Sequence, residues 1–317
     1  MSTTPSTDHL IAEALLAEKR RDRRWKTIRS FAWLLFFLLC LWLLLSGNNP
    51  SARQKKMANA SYVSLVRLSG MIASQQAFSA EKVVPELNLA FHDPHAKGVI
   101  LLVNSPGGSP VQAQLIHNRI IQLKHQTHKK VVVVAEDSLT SGAYLVATAA
   151  DKIYVQPDTL TGSIGVIMSS FGFEGLIKKL GISRRVFTAG TNKNRLDPFK
   201  QLTSQDTQRI GVLLAEVHQH FINDVLVGRG NRLKGNRHTL FSGDFWTGET
   251  AVKLGLVDDT GDLWYTLSKE FKVSHYKDYT RKPGVLHRLL REAQVALDLP
   301  SIGASTQPGA TLLSLPS

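Results

Sequence analysis

An α/β fold on a largely parallel sheet is what this 317-residue chain predicts. Gly98-Val99-Ile100-Leu101-Leu102-Val103 and Val131-Val132-Val133-Val134-Ala135 are apolar runs without alternation, the pattern of strands buried on both faces. Between them, residues 111–124 set Leu115, Ile116, Ile120 and Leu123 at helical spacing. A strand, a crossover helix and a second strand imply parallel neighbours covered by helices.

The elements follow in order. Residues 1–27 form a basic segment in which residues 7–26 read as a short amphipathic helix opened by Ser6 or Thr7, with Leu10, Ile11, Ala14 and Leu15 on one side. Residues 31–45 are apolar without a break, and the whole stretch 28–46 approaches the length that spans about 30 Å of hydrocarbon at about 1.5 Å per residue. It has no polar face, so it does not read as a buried core helix. A cleaved signal peptide normally starts nearer the N-terminus and has a shorter apolar core, so an uncleaved anchor is expected. The basic cluster before it is expected to stay cytoplasmic, which exports everything after the anchor.

Residues 47–60 are polar and read as a linker. Residues 62–68 alternate as a strand. Residues 81–91 are helix-like, with Pro85 expected near the first turn. Beyond the two buried strands, a helix is expected from Ser141 through residue 150, then short strands at 153–155 and 164–168. A helix at 173–180 and a strand at 185–188 follow. Thr203 is the expected N-cap of a long helix over 204–227, and Thr247 of another over 248–254 that stops at Gly255 before a strand-like 256–258. Pro, Gly, Ser and Thr dominate from residue 299, so residues 273–317 read as a C-terminal helix and a flexible tail.

Composition removes several function classes. The formal charge of +13 would suit nucleic acid. However, Lys19, Arg20, Arg21, Arg23, Arg24, Lys26 and Arg29 crowd before the apolar stretch and the other basic residues are scattered. No compact nucleic-acid motif accompanies them, so nucleic acid is not an expected partner. Cys40 is the sole cysteine, which excludes an internal disulfide and a cysteine-based zinc site. No His-Glu-x-x-His or similar spacing occurs, and no metal or cofactor is expected.

Two turns carry the chemistry. Asn104-Ser105-Pro106-Gly107-Gly108-Ser109 follows a buried strand and leads into a helix, and adjacent glycines let backbone N–H groups converge on an anion. Such a turn suits an oxyanion hole, or is simply a tight strand-to-helix connection. Ser141, in Leu139-Thr140-Ser141-Gly142-Ala143-Tyr144, also follows a buried strand and opens a helix. It reads either as an N-cap or as a reactive hydroxyl at the same carboxyl edge, where open α/β sheets bind ligands. Gly-x-Ser-x-Gly does not fit, and His218 and His220, two apart on a helix, face different ways. A serine can act without histidine when a desolvated lysine takes its proton, and Lys193 lies in a Gly-Thr-Asn-Lys-Asn loop.

Four blocks occur in order: Asn104 to Gly108, Thr140 to Tyr144, Thr161-Gly162-Ser163-Ile164-Gly165-Val166, and Gly255-Leu256-Val257-Asp258. Together they resemble the signal peptide peptidase A group of the S49 serine peptidases, in its short single-unit form, over residues 62–267. The resemblance implies a ClpP/crotonase-like fold and a membrane-anchored endopeptidase whose domain, residues 61–272, lies on the outer, periplasmic side of the bacterial inner membrane. It implies Ser141 as nucleophile, Lys193 as general base, Gly108 of the Gly107-Gly108 turn with the Gly142 amide as oxyanion donors, and Ser163 as a group orienting the lysine. It also implies peptide substrates, such as remnant signal peptides, and homo-oligomeric rings that draw serine and lysine from neighbouring copies. For the lysine to serve, it must be enclosed and kept from carboxylates. A SohB-like or stomatin-partner peptidase with other targets remains open, as does a crotonase-like acyl-CoA binder.

Overall fold

The computed structural model describes residues 25–42 and 61–281. The amphipathic reading of 7–26 (all but its last two residues), the linker at 47–60 and the tail beyond 281 lie outside them. The chain divides into two units, Met1–Ala60 and Ser61–Ser317. In the first, helix α1 (Trp25–Trp42) has 18 residues, a rise of about 27 Å, and is long and apolar enough to cross a membrane. Its Leu, Phe and Trp side chains are all exposed, as suits a helix whose solvent is lipid.

The second unit is an α/β layer structure. Its strands are β1 (Tyr62–Ser69), β2 (Ala96–Ser105), β3 (Lys130–Thr140), β4 (Lys152–Val155), β5 (Leu160–Gly162), β6 (Phe245–Trp246), β7 (Asp259–Thr260) and β8 (Tyr276–Asp278). The order is β6-β5-β3-β2-β1-β8, with β4 beside the first half of β3 and β7 beside β4. All pairs are parallel except β5–β6. The helices are α2 (Ala80–His92), α3 (Pro110–Thr127), α4 (Gly142–Ala147), α5 (Glu174–Lys179), α6 (Ser204–Arg229), α7 (Arg237–Leu240), α8 (Gly248–Lys253) and α9 (Leu263–Phe271).

The apolar runs explain the layers. Val99, Leu101, Val103, Val131, Val133 and Ala135 face one core with α2, α3 and α4, while Ile100, Leu102, Val132 and Val134 face a second core under Leu267 and Phe271 of α9. Each fully buried Val, Leu or Ile contributes about 1.5–3 kcal/mol relative to exposure, so this two-sided burial outweighs any local preference. Ser109 caps α3 by accepting from the Gln112 N–H, and Pro110 occupies the first turn. A reciprocal box of Thr203 and Asp206 starts α6.

Several elements differ from the sequence reading. Ser79 already opens α2, so Pro85 falls inside the helix and not in its first turn. Burial of Val83, Leu87, Ala90 and Phe91 holds the helix together around the proline. Residues 164–168 and 185–188 form no strand, because neither has a partner strand among the described residues. The helix after Ser141 stops at Ala147. Residues 256–258 are a turn, and the strand begins at Asp259. There Asp258 accepts from the Ile153 N–H at 2.8 Å and from the buried Arg229 at 2.7 Å, tying α6 to β4. Strand β8 lies where a C-terminal helix is expected, held by its pairing with β1.

The second core has a charged rim. The Glu270 carboxylate, 4% exposed, accepts from Lys152 at 2.9 Å, from Lys130 and from the Tyr154 hydroxyl. Burial alone pushes its pKa up, but those three donors outweigh burial and hold it down at about 2. A depressed carboxyl stabilises the fold above its unfolded value of ~4.3 and loses that contribution as pH falls through the folded value. Glu270→Gln is therefore expected to cost about 2 kcal/mol at neutral pH. In denaturation curves the gap from wild type should narrow as pH falls from ~4.3 toward about 2. A gap independent of pH would contradict this.

Candidate active site

The Gly107-Gly108 turn leaves β2 with left-handed backbone at both glycines, φ 93° and 144°. It is pinned from outside: the Ile72 N–H donates to the Gly107 carbonyl at 2.8 Å, and the Ser109 N–H to the Ile72 carbonyl at 2.7 Å. A side chain at Gly108 would meet the Ile72 carbonyl oxygen at 2.2 Å, so the position accepts only glycine. Those bonds leave the Gly108 N–H without an acceptor among the described residues.

Ser141 follows β3, the strand next to β2. A Cβ on Gly107 would stand 2.7 Å from the Ser141 Cβ, and one on Gly142 would stand 3.5 Å from the Gly108 nitrogen. The two turns thus touch across adjacent strands. Ser141 has φ 53° and ψ −125°, a region costly for any side-chain-bearing residue. Its N–H donates to the Gly162 carbonyl at 2.8 Å, and its carbonyl accepts from Leu145 at 3.0 Å. Its hydroxyl makes no capping bond, so the plain N-cap reading does not describe it. Helix α4 behind it is wholly buried, and the Tyr144 hydroxyl donates to the Leu256 carbonyl at 2.7 Å. Burial pushes that phenol upward, so it stays a neutral donor.

An irregularity in β3 aims this end. Val103 pairs with Ala135 but Ser105 with Leu139, so β3 spends two more residues than β2 over the interval. Asn104 spans the irregularity, donating to Asp137 at 2.6 Å and accepting from the Ser138 N–H at 3.2 Å.

Ser163 lies just beyond β5, on the far side of Ser141, with φ 50°. Its N–H donates to the Asp244 carbonyl at 2.7 Å. The next carbonyl, Ile164, accepts from His218 Nε2 at 2.9 Å, and because a carbonyl only accepts, that nitrogen carries the proton. Helix spacing alone gives no sign of this role. The signal exists only in combination, since His218 stands on the one face of α6 that meets the segment after β5.

Lys193 makes no hydrogen bond to Ser141 among the described residues. It is exposed, in a turn where its N–H donates to the Gly190 carbonyl at 3.2 Å, and its ammonium has no hydrogen bond or ion pair among the described residues. Its loop is nonetheless fixed. Arg195 pairs with Asp206 at 3.3 Å, linking the loop to the start of α6. In the stretch of chain between β5 and α6 that includes Lys193, Ile167, Phe171 and Phe187 are 90%, 79% and 93% exposed.

The strain at Ser141 has a measurable consequence. Ser141→Gly is expected to be more stable than Ser141→Ala by about 1 kcal/mol, because glycine relieves the positive φ and alanine keeps it. Chemical denaturation of the two variants checks this, and a less stable glycine variant would contradict it.

Known proteins resemble this chain over most of the second unit. The model of the family described as Peptidase family S49 matches residues 123–274. A putative signal peptide peptidase SppA of Enterococcus faecium is 29% identical over 241 residues, 72% of this chain and 70% of that protein. A putative protease of Methanocaldococcus jannaschii is 34% identical over 192 residues, 60% of each chain. A protein of Brucella melitensis named as a Na(+)/H(+) antiporter NhaA is 44% identical over 214 residues, 66% of this chain. The match spans only 29% of that protein's length, and the antiporter name is said of the longer protein. The family match, the protease relatives and the mainly parallel α/β sheet, which fits a ClpP-like fold, support peptidase family S49 for this chain.

Proposed function

We propose that the protein is a membrane-anchored serine endopeptidase in which Ser141 is the nucleophile and Lys193, supplied by a second copy of the chain, is the base. The observation that carries the reading is the contact of the two turns: an unbonded serine hydroxyl on strained backbone beside the unpaired Gly108 N–H. The Gly142 N–H, first of its helix, stands next to it.

Neutral lysine removes the Ser141 proton as Oγ attacks the scissile carbonyl. The Gly108 and Gly142 amides hold the oxygen as it gains charge, and the lysine returns the proton to the leaving amine. Water then repeats the sequence on the acyl-enzyme. A lysine in water keeps its proton at neutral pH, so it serves as base only once desolvated. Packing the exposed apolar residues of the β5–α6 stretch, Ile167, Phe171 and Phe187, against another copy is the proposed source of that desolvation, with Ser163 then orienting the amine. The substrates are extended peptides, among them signal peptides left in the membrane after preprotein cleavage. Helix α1 holds the enzyme at the inner membrane with the basic N-terminus in the cytoplasm and the domain outside.

Ser141→Ala and Lys193→Ala are each expected to lower peptide hydrolysis by about 10³-fold or more. Mixing the two inactive variants during assembly should restore part of the activity, because some sites then combine an intact serine with an intact lysine from different copies. Retained turnover in Lys193→Ala would overturn the assignment of the base. Failure of the mixture to recover activity would overturn its supply from a second copy.

A further inference from the structure

Basic residues that are scattered in the sequence gather in space. Four of the parallel strands carry a lysine in their first two residues: Lys97 in β2, Lys130 in β3, Lys152 in β4 and Lys277 in β8. Lys129 precedes β3, and Lys272 follows α9 at the same edge. The carboxylates there are Asp93, Asp151 and Glu270, and two of them are interior: the side chains of Asp93 and Glu270 are 6% and 4% exposed. Glu270 pairs with Lys130 and Lys152, Asp93 with Lys277, and Asp151 with Lys124. Lys97, Lys129 and Lys272 have no carboxylate partner among the described residues. Between α3 and β3 the edge is concave, lined by Lys124, His125, His128, Lys129 and Lys130 with Asp151. The opposite ends of the strands carry the other sign, with Glu136, Asp137 and Asp158 exposed.

The second unit begins at Ser61 and enters β1 at this basic edge. The chain preceding it is the one that carries the apolar helix Trp25–Trp42. We propose that the amino edge of the sheet is a docking face for anionic phospholipid headgroups. The inference rests on reading that helix as a membrane anchor. Phosphodiester groups match a face of ammonium and imidazole donors around a concave seat, and each lysine near an anionic bilayer adds to the attraction. With this edge on the headgroups, the catalytic edge points away from the bilayer. The 11 residues of β3 separate the two edges, so Ser141 stands roughly 30 Å above the surface at about 3.3 Å per residue. Only a peptide that has left the hydrocarbon, or a long free end, then reaches the nucleophile.

The test uses the full chain in nanodiscs of phosphatidylcholine, with or without phosphatidylglycerol. In a Cys40→Ser background, one fluorophore is placed at Ser274→Cys near the basic edge, or at Asp158→Cys on the opposite side, and energy transfer to a headgroup-labelled lipid is read. Transfer from position 274 is expected to rise severalfold with phosphatidylglycerol, to exceed that from position 158, and to fall in high salt as screening shortens the range of the attraction. Lys97→Glu with Lys272→Glu should weaken headgroup association roughly tenfold or more, while detergent-solubilised enzyme keeps its peptidase activity. Equal transfer from both positions, or no response to phosphatidylglycerol or to charge reversal, would overturn the proposal. Displacement by a short oligonucleotide in preference to anionic lipid would assign the face to nucleic acid instead. Loss of the protein from neutral nanodiscs would show separately that the anchor reading has failed, and the proposal with it.

Discussion

The approach of the Gly107-Gly108 turn to Ser141 and Gly142 is the constraint on which the rest of the site depends. Adjacent parallel strands deliver the two turns to one edge, where a single methyl group on either glycine of the first turn would collide with its neighbours. Ile72 holds the turn on one side and Gly162 holds the Ser141 N–H on the other. Positive φ at Ser141 persists because these contacts over-determine it. The Ser141 hydroxyl is thereby left without a capping bond beside the Gly108 N–H, which has no acceptor among the described residues.

That frame draws on distant parts of the chain. Helix α6 closes on the segment after β5 through His218 and on β4 through Arg229 and Asp258. Its start holds the loop of Lys193 through Asp206 and Arg195. One 26-residue helix therefore touches both the serine side of the site and the loop that carries the lysine. If Lys193 serves a neighbouring copy, the same helix joins consecutive sites around an assembly, which would make their geometry interdependent.

Much of the fold was legible because burial on two faces leaves a plain mark: the runs at 98–103 and 131–135 admit no amphipathic reading. Caps were equally readable, as Thr203 and Thr247 show. The misread strands share one cause. Residues 164–168 and 185–188 have strand-like composition, but a strand exists only with a partner, and pairing is not local. Strand β8 was missed because its three residues are held by β1 and by the Asp93 cluster, a long-range effect. In the site, glycine and serine turns were visible as patterns, whereas the link from His218 to Ile164 joins residues 54 apart and needs the packed structure. Lys193 was visible as a loop lysine, but its surroundings within one chain are solvent.

The proposed mechanism requires the Ser141 hydroxyl and the Gly108 and Gly142 amides to act as one reactive unit. The most direct measurement is a high-resolution structure of the protein reacted with a peptide aldehyde. A covalent bond to Ser141 Oγ is expected, with an adduct oxygen about 2.7–3.1 Å from both amide nitrogens. An adduct on another residue, or an oxygen turned to solvent with both amides unoccupied, would contradict it.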